Sequence, residues 1–231
     1  MLAGATGLVG GHLLEYLLDA PDYSRVFALT RRPLGREHPK LANRIVVFPR
    51  MAEQLQGLTA QDAFCCIGTT IREAGSQEAF RAVDVEAVLQ FARAARAAQA
   101  TRFVVVSAAR AAPDSKNFYL RTKSEMEEAV ARLGFASVDI LQPSLLLGER
   151  KSGRFLEDLA KLFAPVFAPL FTGKLEVLRP IPAQTVARAM LGVARSGRRG
   201  VQRYTYGALR QLAETRPAQP IPVQNEQKAS R

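Results

Sequence analysis

Tryptophan is absent from this 231-residue chain, and histidine and cysteine occur only twice each. With His12 and His38 far apart in sequence and no His/Cys cluster at ligand spacing, no structural metal is expected. The cysteines are neighbours, Cys65 and Cys66, in the apolar run "AFCCIG". Successive residues of a strand point to opposite faces, so the pair is badly placed to bridge. Reduced, buried thiols follow, and with them a cytoplasmic location. No apolar run reaches the roughly 18 residues of a membrane span. The N-terminus has no basic stretch ahead of an apolar one, so no signal peptide is expected. Acid is the scarcer charge, with 21 Asp and Glu against 32 Lys and Arg, a formal net charge of +11. Basicity of this kind suits nucleic acid, but the basic residues are spread along the chain. Zinc-finger spacing, a basic region with heptads and an aromatic RNA-binding signature are all missing, so no specific nucleic-acid partner is expected.

What is present is alternation. Apolar runs read as strands at 24–30, 44–49, 62–68, 101–107 and 137–143, after a very short apolar start at "MLAG". Several of these runs are continuously apolar, as in a parallel sheet covered on both faces. Helical patterns lie between them. Leu13, Leu14, Leu17 and Leu18 mark one face, and Phe80, Val83, Ala87, Val88, Phe91 and Ala95 form a longer stripe. Another helix is read over 119–133, ending at Gly134. Strand–helix alternation implies an α/β, Rossmann-type, doubly wound and mostly parallel sheet with helices on both faces. Beyond about residue 145 the alternation loosens. Leu156, Leu159, Leu162 and Phe163 read as a helix, 182–195 as a helix with proline in its first turn, and "VQRYTY" as a last strand. One domain over 1–215 is expected, with 145–215 forming a small C-terminal elaboration on the substrate side. The polar, proline-containing end, 216–231, is expected to be irregular.

The glycines of "AGATGLVGGHLLEYLL" carry the first chemistry. A short strand, G-x-x-G-x-x-G and an amphipathic helix make a phosphate-binding turn. Gly4 permits the turn, Gly7 leaves room for a pyrophosphate, and Gly10 allows close packing of the helix, whose N-terminus faces the phosphates. The bland alternative is a plain glycine-rich loop, and the flanking strand and helix argue against it. At the end of the second strand, where an NAD site carries Asp or Glu, this chain has Arg31 and Arg32 in "ALTRRP". Guanidinium groups pair with a 2′-phosphate through forked, charge-assisted bonds, which points to NADP(H). The third element is "FYLRTKSEMEEAV", in which Tyr119 and Lys123 share a helix face. An ammonium beside a phenol favours the phenolate, and such a tyrosine can exchange a proton with a carbonyl oxygen. Alone, a Tyr-x-x-x-Lys pair is more often chance than site.

In order and spacing, "GATGLVG", the arginines after the second strand, and "YLRTK" after a strand ending in serine resemble the short-chain dehydrogenase/reductase superfamily. "FCCIGTT" followed by "AFRAVDVEAVLQFARAA", then "NFYLRTKSEMEEAV" and "LQPSLLLGERKSG", resemble its atypical branch, the Tat-interacting-protein-like oxidoreductases. The likeness covers about residues 2–195. It implies that Gly4, Thr6, Gly7, Leu8, Val9 and Gly10 line the pyrophosphate and that Arg31 and Arg32 hold the 2′-phosphate. It implies that Ile67, Gly68 and Thr69 pass under the cofactor, and that backbone at Pro143 and Ser144 meets the nicotinamide amide. Tyr119 becomes the acid and Lys123 the cofactor anchor. Ser107 stands near the superfamily's catalytic hydroxyl, but the following position, often the catalytic one, is Ala108. The apolar start before Gly4 is also shorter than the superfamily's first strand.

These readings converge on an NADP(H)-dependent oxidoreductase acting on a small carbonyl or alcohol by hydride transfer. The rival is a module that binds NADPH, turns over little and docks a protein partner, a view fed by Ala108. Residues 71–76, 108–118 and 145–180 are expected to shape the substrate pocket.

Overall fold

The computed structural model describes residues 1–148 and 173–214. Strands β1 (Leu2–Ala3), β2 (Val26–Thr30), β3 (Leu41–Ile45), β4 (Asp62–Cys65), β5 (Arg102–Val106), β6 (Ser137–Leu141) and a later strand, Gly200–Tyr204, form one sheet. Every pairing in it is parallel, in the order β3-β2-β1-β4-β5-β6 and then Gly200–Tyr204. Two two-residue strands, β7 (Leu146–Leu147) and β8 (Ile181–Pro182), pair separately, so Gly200–Tyr204 is β9. The described helices are α1 (Leu8–Asp19), α2 (Met51–Gln54), α3 (Ile71–Ala74), α4 (Gln77–Arg81), α5 (Val88–Ala97), α6 (Phe118–Ala131), α7 (Ala183–Arg195) and α8 (Tyr206–Glu214). The architecture is the Rossmann-like one expected.

Alternate residues of the central strands feed two cores, as the pleat requires. Ala3, Cys65, Phe103, Val105 and Ile140 pack with Met51, Phe91 and Met126, from α2, α5 and α6. Leu2, Phe64, Val104 and Leu141 pack on the other face with Leu13, Leu17, Val186 and Met190, from α1 and α7. Cys65 and Cys66 fall on opposite faces, both free, with Cys66 Sγ 3.6 Å from Met190 Sδ. Burial pushes the Cys65 thiol up to about 12.

Three elements differ from the sequence reading. The strand read at 44–49 lies earlier, at 41–45, because its register is set by Val26–Thr30. Beyond it the chain turns through Phe48–Arg50, which carries Pro49, and buries Val46 and Met51 under the sheet. The stripe read from Phe80 to Ala95 is one helical path interrupted by a widened π turn, Ala82–Ala87. Helix α8 escaped notice: its apolar side packs on α7 around Leu209 and Leu212. The helix read at Leu156, Leu159, Leu162 and Phe163, most of the pocket segment 145–180, and the tail 216–231 lie outside the described residues.

Candidate functional site

Parallel sheets present their ligand side at the carboxyl ends of the strands, where the order reverses between β1 and β4. The glycine turn lies there. Gly4 has φ +85°, a left-handed conformation that favours glycine. A Cβ on it would lie 2.9 Å from Ile67 N and overlap the Cys66 carbonyl. A Cβ on Gly10 would lie 2.7 Å from the Gly4 carbonyl carbon, so the first turn of α1 rests directly on the turn before it. Gly7 is the N-cap of α1. It supplies no side-chain cap, and no acidic residue sits in the first turn. Thr6 and Gly7 are exposed, and Leu8 is half-buried. Val9 points its side chain into the core, so only its backbone can take part. Among the described residues, then, no side chain caps this helix N-terminus and no acid of its first turn answers its partial positive charge, which fits a pyrophosphate.

Arg31 and Arg32 are exposed just after β2. Neither guanidinium has an ion-pair or hydrogen-bond partner among the described residues. By contrast, Arg36 further along the same loop pairs with Glu15 of α1, with one contact at 2.8 Å. Two unpaired, forked cations at this place fit a phosphate monoester on the ribose.

After β4, Ile67 is buried, Gly68 exposed and Thr69 half-buried. Here sequence reasoning missed a residue. Asp84, on the widened turn, is fully buried and pairs with Lys123 Nζ at 2.6 Å. Its other oxygen accepts the Thr69 N–H at 2.9 Å. A Cβ on Gly68 would lie 3.4 Å from Asp84 Oδ1 and 3.9 Å from Lys123 Nζ, so the ion pair lies directly beneath this loop. Burial opposes the charge on Lys123. The Asp84 carboxylate, followed by Tyr119, outweighs burial and holds the lysine above its ordinary value. The sequence did carry a signal: in "FRAVDVEAV" the acid falls on the buried stripe, four residues after Phe80 and four before Val88.

Tyr119 and Lys123 come together as their spacing predicts, with Nζ 5.9 Å from the phenol ring centre. Asn117 caps α6 by accepting the Tyr119 N–H at 2.8 Å, and the Tyr119 ring lies 5.5 Å from that of Phe80. Ser107 is buried at the end of β5, and its hydroxyl donates to Glu127 Oε1 at 2.6 Å. Gln142 Nε2 donates to the same oxygen at 2.8 Å and Arg203 Nε to Oε2 at 2.8 Å. Glu127 was also missed: it stands among several acids in "SEMEEAV", yet it is 2% exposed. Pro143 is buried, and the Ser144 hydroxyl donates to the Arg179 carbonyl. A backbone bond from Ala109 N to Pro143 O, 2.8 Å, ties the loop after β5 to the segment after β6.

A glycine turn at a helix N-terminus, arginines after the second strand that are unpaired among the described residues, and a Tyr–Lys pair on α6 fit a dinucleotide-binding protein of the short-chain dehydrogenase/reductase kind. A family model described as NAD(P)H-binding matches residues 4–164. The chain belongs to that family, as an atypical short-chain dehydrogenase/reductase near the HTATIP2-like group. It is 33% identical over 219 residues to Protein FMP52, mitochondrial, of Lodderomyces elongisporus, covering 87% of this chain and 88% of that one. It is 33% identical over 194 residues to Protein HTATIP2 of Rattus norvegicus, covering 82% and 78%. Among solved structures, MoeE5 in complex with UDP-glucose and NAD has a TM-score of 0.65 at 20% identity, over 89% of this chain and 75% of that one. Human epimerase family protein SDR39U1 with NADPH has a TM-score of 0.60 at 17% identity, over 88% and 72%. These structural likenesses are of fold.

Proposed function

We propose that the protein is an NADP(H)-dependent oxidoreductase acting on a small carbonyl or alcohol. The observation that carries this is the Tyr119–Lys123 pair, joined through Asp84 to the Gly68–Thr69 loop beside the glycine turn. Gly4, Thr6, Gly7, Leu8, Val9 and Gly10 line the pyrophosphate, which takes backbone N–H groups of the first turn of α1 while the Gly7 N–H closes the turn onto the Gly4 carbonyl at 3.0 Å, and Arg31 and Arg32 hold the 2′-phosphate. Ile67, Gly68, Thr69 and backbone at Pro143 and Ser144 complete the cofactor's bed. When bound, the nicotinamide supplies or accepts a hydride. Tyr119 gives its phenolic proton to the carbonyl oxygen in reduction and takes it back in oxidation. Lys123 stabilises the phenolate and bonds the nicotinamide ribose. Ser107 has given its only hydroxyl proton to Glu127, so toward a substrate its oxygen accepts and Tyr119 is the donor.

That same hydroxyl favours a second reading, in which the domain binds NADPH, turns over little and docks a protein partner. Steady-state oxidation of NADPH against a carbonyl panel separates the two. Cofactor choice is tested by calorimetry: NADPH binds much more tightly than NADH, and Arg31→Ala with Arg32→Ala removes about 1–3 kcal/mol per contact from NADPH alone. Equal affinities in the native protein would sink the NADP reading.

A cytoplasmic location rests on the free cysteines, which fit any reducing compartment. Among the described residues no helix is long and apolar enough to cross a membrane. Since relatives carry a mitochondrial designation in their names, a fluorescent fusion of the full chain is the test of compartment.

A further inference from the structure

The loop that carries Arg31 and Arg32 is exposed, yet it is bonded to the sheet on both sides of them. Asn43 of β3 stands beside Ala28 of β2 in the parallel register. Its amide nitrogen donates to the Ala28 carbonyl at 3.0 Å and to Thr30 Oγ1 at 2.7 Å. Its amide oxygen accepts the Leu34 N–H at 2.9 Å. The amide can face only one way, because the Ala28 carbonyl needs a donor and the Leu34 N–H an acceptor. Thr30 accepts from Asn43 and passes its own proton on, to the Arg32 carbonyl at 2.7 Å. So Asn43 holds the chain before Arg31 and after Pro33, and Thr30, itself held by Asn43, holds it at Arg32. Pro33 adds its own restraint, since the residue before a proline is held to extended backbone. The sequence reading singled out the two arginines and passed over the residues that place them.

We infer that Asn43 and Thr30 are positioning residues that set the preference for a 2′-phosphorylated dinucleotide. The inference rests on the NADP reading of Arg31 and Arg32. An unpaired arginine on a free loop would have to surrender backbone and side-chain freedom when it met the phosphate. Here the backbone share of that cost is met in folding, and both guanidinium groups start from a fixed platform. Neither Asn43 nor Thr30 needs to touch the ligand for this. Their effect therefore appears only with a ligand that has a 2′-phosphate, and only while the arginines are present.

The test is calorimetric titration of NADPH and NADH into the wild type, Asn43→Ala and Thr30→Val, with thermal midpoints recorded for each. Thr30→Val is nearly isosteric and removes only the relay hydroxyl, so it serves where Asn43→Ala fails to fold. NADPH affinity should fall about tenfold in each variant, the scale of a lost hydrogen bond, and NADH affinity should stay within about twofold. In a background of Arg31→Ala with Arg32→Ala, both substitutions should leave NADPH affinity unchanged. A wild-type preference for NADPH that survives in both variants overturns the inference and spares the cofactor reading. So does an equal loss of both cofactors, which would make Asn43 merely structural. A wild type with no preference for NADPH brings down the cofactor reading and the inference with it.

Discussion

Asp84→Asn tests the ion pair beneath the site. The change keeps the shape and, with the amide oxygen turned to the Thr69 N–H, sets an uncharged NH2 group against Lys123 in place of the carboxylate. The ammonium is left in a place where the lysine side chain is 6% exposed and its former partner fully buried. Taking one member from a buried pair costs about 3–5 kcal/mol. The lysine sets an independent ceiling, because it can shed its proton instead of staying charged. Shedding it at pH 7 costs the gap up to the ordinary lysine value of 10.5, roughly 5 kcal/mol at about 1.36 kcal/mol per pH unit. The two routes agree in scale.

They also fix a sign. In the wild type the native lysine is held above its unfolded value, so the pair's contribution is complete below about pH 10.5 and is lost as pH climbs through the native value. In Asp84→Asn burial dominates and lowers the native value. The unfolded chain then binds more protons than the native one, and stability rises with pH. Urea unfolding of both proteins at pH 7 and 9.5 lets other titrating groups cancel in the difference. The deficit should be about 3–5 kcal/mol at pH 7 and should shrink by up to roughly 3 kcal/mol at pH 9.5. A deficit below about 1 kcal/mol at pH 7, or one that does not change with pH, would refute the assignment.

Other outcomes follow from the same geometry. Gly7→Val places a branched side chain at the exposed N-cap of α1; circular dichroism should report a folded protein, and calorimetry no NADPH binding. Tyr119→Phe should leave NADPH affinity nearly intact and lower turnover of a carbonyl substrate by about 10²-fold or more; full activity would end the proposed mechanism. Ser107→Ala takes a donor from buried Glu127, so it should cost about 1–3 kcal/mol in urea unfolding and reduce turnover less than Tyr119→Phe does.

The parts of the molecule that were legible in the sequence are those set by local chemistry. Continuous apolar strands and the glycine turn fixed the Rossmann-like sheet, because each signal repeats over several neighbours and competes with little else. Tyr119 and Lys123 were legible because helical spacing alone brings them to one face. Asp84, Glu127 and Asn43 were not, and for one reason. Each is polar and partnered by residues 9 to 76 positions away, so its neighbours in sequence say nothing of its role. A lone acid on an apolar stripe, as at Asp84, is the nearest thing to a local sign. Strand β3 was displaced for a related reason: the apolar residues 46–48 follow the paired segment and lead into the turn before Met51, while a less apolar stretch, "LANRI", holds the register with β2.

On α6 the phenol, the ammonium and a carboxylate recur at Tyr119, Lys123 and Glu127, one turn apart on a single face. Lys123 and Glu127 would make an ordinary helix pair, and they are not used that way. Lys123 turns to Asp84 on the widened turn before α5, while Glu127 takes its donors from Ser107 of the β5 end, Gln142 of the β6 end and Arg203 of β9. The helix is therefore held by two separate buried polar sockets on different elements. Rotating α6 by even a fraction of a turn would strand charges from both, at several kcal/mol each. Among the described residues Tyr119 has its cap, the Phe80 ring and Lys123 as neighbours, and its place on α6 is set by those two sockets. In the mechanism proposed above, a tyrosine held in this way need not be reorganised when charge develops on a carbonyl oxygen, which is where a preorganised site gains its rate. Under that proposal Asp84 and Glu127 act as positioning residues, through α6 and without touching a substrate.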